Sequence, residues 1–194
     1  MLVPFFLFAV SSIFSPGPAN IAASAFGQEV GYAGTLRFLL GMAFCFTLGM
    51  AAAGLMAGAL RVIFPIVATY LRWAGALYMA WLAASLFLHQ RGGGPSQPRK
   101  PGFVDGLLII ITNPKLYFFA AALFASFGAQ LARTVPAILL LSLVLGLLQF
   151  IAASTWVMVG YGLSLAFKGR TFSIVFRVVM ALLLVVSAVL TIVD

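Results

Sequence analysis

Charge is scarce in this chain. Of its 194 residues, 7% are Asp, Glu, Lys or Arg, and three are acidic: Glu29, Asp105 and Asp194. It has one histidine, His89, and one cysteine, Cys45. These shortages exclude whole classes of chemistry. A single cysteine allows neither an internal disulfide framework nor a C-x-x-C redox pair. Cys45, inside an apolar run, reads as a small packed or lipid-facing residue. Three acids and one histidine are too few for a divalent-ion cage, so no metal ligand and no cofactor is expected. There is no H-E-x-x-H and no intramembrane carboxylate pair for acid–base work. The expectation is a protein that is not an enzyme.

What is abundant is apolar surface. Hydrophobic residues make up 64% of the chain, and the mean hydropathy of +1.18 lies far outside the range of soluble domains. About 20 apolar residues cross the hydrocarbon layer as a helix. Six such stretches are separated by short polar punctuation: roughly 2 to 26, 35 to 60, 66 to 88, 103 to 127, 135 to 166 and 171 to 193. The fold class expected is an all-α integral membrane protein with six transmembrane helices. The first stretch lacks the basic start of a secretory signal and is broken by prolines, so it is expected to remain in the membrane.

The formal charge of +8 would suggest nucleic acid in a soluble protein. Here the basic residues sit at segment ends, where positive-inside bias explains them and no nucleic-acid partner is needed. Arg37, Arg91, Arg99, Lys100, Lys168 and Arg170 fall on one side, against Arg61, Arg72 and Arg133 on the other. Six against three places the first group in the cytoplasm and both termini outside.

Residues 89–102 (HQRGGGPSQPRKPG) lack periodicity and are rich in Gly and Pro. They read as a cytoplasmic linker; G-x-x-x-x-G-K-[ST] is absent, so no phosphate cradle is inferred. The linker divides a single membrane domain into residues 1–89 and 103–194, with three segments each. An odd number of crossings per half requires opposite insertion, the inverted-repeat plan of secondary transporters.

A further coincidence supports that plan. Ser15-Pro16-Gly17-Pro18-Ala19-Asn20 interrupts the first segment and Thr112-Asn113-Pro114-Lys115 the fourth. Each interruption lies roughly 16 to 18 Å into its segment at about 1.5 Å per residue, near the midplane. Paired Gly/Pro breaks of this kind point to a transporter's binding site. Pro16, Pro18 and Pro114 deprive the carbonyls of Ser12, Phe14 and Ile110 of helix donors. Gly17 is read as conformational relief, while Ser15, Thr112 and Asn113 are placed to satisfy stranded groups. Each break also starts a new helix, whose positive end suits a carboxylate; the freed carbonyls suit an ammonium. Lys115 costs about 2.5 to 3.5 kcal/mol at this depth and should face a cavity, either pairing with a substrate carboxylate or bonding structurally to Asp105 or to freed carbonyls.

These residues carry a resemblance. PGPAN in the first helix and NPK in the fourth are similar to the signature motifs of the lysine exporter (LysE/RhtB) family of amino-acid exporters. Gly31, Gly34, Gly41 and Gly49, the run Trp73 to Tyr78, and Phe103 with Gly106 agree with that pattern. The likeness covers nearly the whole chain. It implies export of a small zwitterionic amino acid or close derivative, driven by an ion gradient, with protons as the expected ion. Carried over by position, it implies that Pro16, Gly17, Pro18, Asn20, Asn113, Pro114 and Lys115 form or shape the site. The alternative is a carrier of another small solute or cation on the same fold.

Other features stay open. Gly54 and Gly58 form a G-x-x-x-G that marks either a homodimer face or close internal packing. Gln149 either bonds a neighbouring helix or lines the cavity. Tyr78, Trp81, Tyr117 and Trp156 either shape the pocket or belong to interfacial belts.

Overall fold

The computed structural model of the protein describes residues 2–56, 70, 73, 77, 80–81, 84, 100–166 and 170–193. Among these, the chain is helix and connecting turn with no strand. Helix α1 spans Leu2–Phe14, α2 Pro18–Leu55, α3 Phe103–Ile111, α4 Pro114–Leu131, α5 Val135–Ala166 and α6 Arg170–Val193. Most of the expected third segment and of the linker lies outside the described residues. So do His89, Tyr78, Gly58 and the basic residues Arg61, Arg72, Arg91, Arg99 and Lys168.

Both expected interruptions are present. Helix α1 stops at Phe14 and α2 starts at Pro18; α3 stops at Ile111 and α4 starts at Pro114. The second break bends the chain by 60°. Among the described residues, α2 and α5 are each long and apolar enough to cross a membrane, and the bent α3–α4 pair makes a third if taken as one span.

The first and second expected segments differ from the structure at their join. A polar connection over residues 27–34 is implied by the segment limits, yet helix runs from Pro18 to Leu55 with one non-helical residue, Gly31, at φ 68° and ψ −178°. Glycine takes that conformation without the steric cost other residues meet. The Phe26 and Phe38 ring centroids stand 5.2 Å apart, whereas twelve residues of straight helix span about 18 Å. The chain therefore folds back at Gly31. A single residue makes the turn, which is why no run of loop-forming residues announces it.

The two arms of α2 organise the rest. Gly27 meets the Val157 carbonyl of α5, and Gly160 of α5 meets the Ser24 carbonyl of the first arm. Gly41 meets the Phe103 carbonyl of α3, and Gly106 meets the Phe38 carbonyl of the second arm. A side chain at any of the four would strike backbone, so small residues here set the helix approach. Gly54 packs on Ile138 and Phe124 within the chain, while Gly58, the other half of its G-x-x-x-G, lies outside the described residues. On α5, Leu139, Leu140, Leu143 and Leu147 are exposed while Leu145, Ala152 and Val157 are buried. Apolar side chains on both faces are what a helix between protein and lipid requires.

Candidate functional site

The first break is satisfied partly by its own residues and partly from a distance. Ser15 Oγ donates to the Ser12 carbonyl at 2.8 Å. The Phe14 carbonyl, left without a helix donor by Pro18, accepts from Trp156 Nε1 of α5 at 3.0 Å. Asn20, in the first turn of α2, reaches back so that its Nδ2 donates to the carbonyls of Ile13 and Ser15, both at 3.0 Å. Gly17 is extended, at φ −164° and ψ 171°, a conformation any residue adopts. Its value is therefore not conformational relief: a side chain at Gly17 would begin 3.5 Å from Lys115 Nζ, an ordinary contact distance that places the lysine directly against the break.

The second break is satisfied locally. The Ile110 carbonyl accepts the Asn113 N–H at 3.1 Å. Thr112 Oγ1 donates to the Leu108 carbonyl, and the Tyr117 hydroxyl to the Ile111 carbonyl, both at 2.6 Å. Asn113 Oδ1 accepts from the Lys115 N–H at 3.0 Å, an N-cap for α4. Asp105 works at the far end of α3, where its Oδ2 accepts the Gly102 N–H at 2.7 Å; a carboxylate in a first turn also suits the helix dipole.

Lys115 joins the two breaks. Its Nζ donates to the Ser15 carbonyl at 3.0 Å and to Ser15 Oγ at 2.9 Å. The lysine bonds a break-site carbonyl, one of the two structural roles open to it on sequence. Against it lies the start of α2, which has proline at its first position and no side-chain cap from Gly17. The first N–H groups of α2, on Ala19 and Asn20, and the ammonium thus form one positive locus.

A cavity of about 20 Å³ opens between the breaks, room for about one water. Of the nine residues expected at the site, Gly17, Asn20, Asn113 and Lys115 line it. Ser15 is tied to it through Lys115. Pro16, Pro18, Thr112 and Pro114 shape the backbone without lining it. The apolar walls, Ile13, Phe46, Ile110, Leu116 and Phe119, carried no sequence signal beyond hydrophobicity. Gln149 resolves to the cavity, and Trp156 to the first break.

Asn20 leaves one atom unpaired. With both Nδ2 hydrogens directed at carbonyls, Oδ1 is fixed as an acceptor, and it is buried without a partner. Ammonium, uncapped amides and a vacant acceptor lie around one small space, a set whose chemistry suits opposite charges carried by one molecule. Among the described residues, no group of three His, Cys, Asp or Glu side chains is placed to hold a metal ion.

The family model described as LysE type translocator matches residues 10–194. The cysteine/O-acetylserine efflux proteins of Salmonella choleraesuis (strain SC-B67) and Salmonella typhimurium (strain LT2) are each 27% identical over 191 residues, covering 97% of this chain and 96% of theirs. The protein of the same description from Escherichia coli (strain K12) is 26% identical over the same share. No solved structure matches the chain. Proteins of this kind are transporters rather than enzymes, and the apolar helices suit a bacterial membrane protein. With the match running through both breaks and on to the last residue, the chain belongs to the LysE type translocator family.

Proposed function

We propose that this chain is a secondary exporter that carries small zwitterionic amino acids, or close derivatives, out of the bacterial cytoplasm in exchange for protons. In this reading six helices cross the inner membrane as two inverted halves, with both termini periplasmic, as the positive-inside count suggests. The relatives named for cysteine and O-acetylserine efflux support the substrate class. The observation that carries the reading is Lys115, held by Ser15 across the two breaks beside an uncapped helix start and the vacant Asn20 Oδ1.

The chemistry follows from competition for partners. A substrate carboxylate binds the Lys115 ammonium and the first N–H groups of α2, a charge-assisted arrangement stronger than the neutral acceptors that Lys115 holds without substrate. Its ammonium takes Asn20 Oδ1 and the Ser15 oxygens that the lysine gives up. Lys115 is the polar tie between the breaks, so this exchange loosens one half of the chain from the other. The cavity of about 20 Å³ is too small for an amino acid, so loading requires that separation. Binding and opening are then one event, as alternating access demands.

Intracellular and extracellular amino-acid pools, compared between a deletion strain and an overexpressing strain, test the reading. Overexpression is expected to raise one or a few amino acids outside the cell and deletion to raise them inside. Pools unmoved by either change would overturn it.

A further inference from the structure

We infer that Gln149 reads the substrate's side chain and restricts the carrier to neutral amino acids with a hydrogen-bonding group close to the backbone. This rests on the exporter reading above. Gln149 lies near the middle of α5, is 5% exposed and lines the cavity between the breaks. No hydrogen bond among the described residues engages its side chain. Ser142, two turns earlier on the same helix, shows the usual solution for a buried polar residue there, donating to the Ile138 carbonyl at 2.8 Å. A glutamine amide has no such local partner, and a buried amide left unpaired is costly. Its place is accounted for by a polar group that arrives in the cavity.

The polar stations of the cavity match the parts of an α-amino acid. Lys115 with the start of α2 takes the carboxylate, and Asn20 Oδ1 takes the ammonium. Ser12, Asn113 and Gln149 are the remaining polar walls; of these the Gln149 amide is the one carried by α5, and a neutral amide both donates and accepts. Among the described residues no acidic side chain lines the cavity, and its one cation is engaged by the carboxylate, so basic and acidic side chains have no counter-charge. Beyond these the walls, Phe46, Leu116 and Phe119 among them, are apolar and give a longer side chain no further polar contact.

The test uses the purified protein in proteoliposomes, with counterflow of labelled threonine and valine, which differ by a hydroxyl in place of a methyl. Wild type is expected to favour threonine by about tenfold or more, because a site built for a hydrogen bond rejects the analogue lacking it. Gln149→Leu is expected to lower threonine counterflow about tenfold and leave valine unchanged or raised, bringing the ratio near one. Gln149→Met, unbranched and close in shape, is expected to do the same and serves if the leucine variant does not insert. A wild type without preference, or an inserted variant that slows both substrates equally, overturns the inference while leaving the exporter reading intact. Wild-type protein that moves no amino acid removes both.

Discussion

The two breaks occupy matching places in the sequence and are satisfied in opposite ways. The second closes on itself: Thr112, Asn113 and Tyr117 serve the carbonyls of Leu108, Ile110 and Ile111, and Asn113 caps the helix that follows. The first has local bonds from Ser15 and Asn20 but depends as well on residues far along the chain, with Trp156 on the Phe14 carbonyl and Lys115 on Ser15. A self-contained break behaves as a rigid elbow, because opening the protein removes none of its bonds. A break held by distant partners can change when those partners move. In the proposed exporter the second break is then the platform that aims Lys115, and the first break is the surface on which substrate exchange would take place.

The largest expected effect comes from cutting the link between them. Lys115→Ala removes the single charge in the cavity and should lower transport more than a hundredfold in proteoliposomes while the protein still inserts. Removing a costly intramembrane charge does not oppose insertion. Normal export by a well-expressed Lys115→Ala protein would take the lysine out of the mechanism and reduce the two breaks to kinks.

A matched pair of hydroxyl deletions sharpens the contrast at smaller amplitude. Ser15→Ala strips a hydroxyl that donates to Ser12 and accepts from Lys115; Thr112→Val strips one that donates only within its own helix, at an exposed site. Transport is expected to fall about tenfold for the first, in line with a hydrogen bond to a charged group, and less than about twofold for the second. Equal losses would mean that both breaks serve the substrate alike, as their sequences suggest.

The sequence reading placed the breaks correctly because proline's missing N–H is a local property that no tertiary context removes. It treated them as equals because their carbonyls look equally stranded when partners 100 or more residues away are invisible. Trp156 showed this limit: an indole in an apolar run fits an interfacial belt, a packed core or a hydrogen bond equally well. Gly17 and Gly31 were also hard to tell apart, since a glycine letter does not say whether it takes a positive φ; the structure gives the turn to Gly31 and leaves Gly17 extended. Hydropathy found the fifth and sixth segments within a residue of α5 and α6. It misjudged the join of the first two, where one residue does the work of a loop.

The smallest effect bears on stability rather than transport and returns to the same contrast. Trp156→Phe keeps most of the ring's packing but leaves the part-buried Phe14 carbonyl without its donor, and an orphaned buried acceptor costs about 1–3 kcal/mol. Tyr117→Phe removes a donor from the Ile111 carbonyl at an exposed position, where water entering the break can take its place, so about 0.5 kcal/mol or less is expected. Unfolding in mixed detergent micelles should separate the two variants by about 1 kcal/mol or more. If Tyr117→Phe proves the more harmful, the second break is not the self-sufficient elbow described here, and the tie through Lys115 must then be supporting it as well as using it.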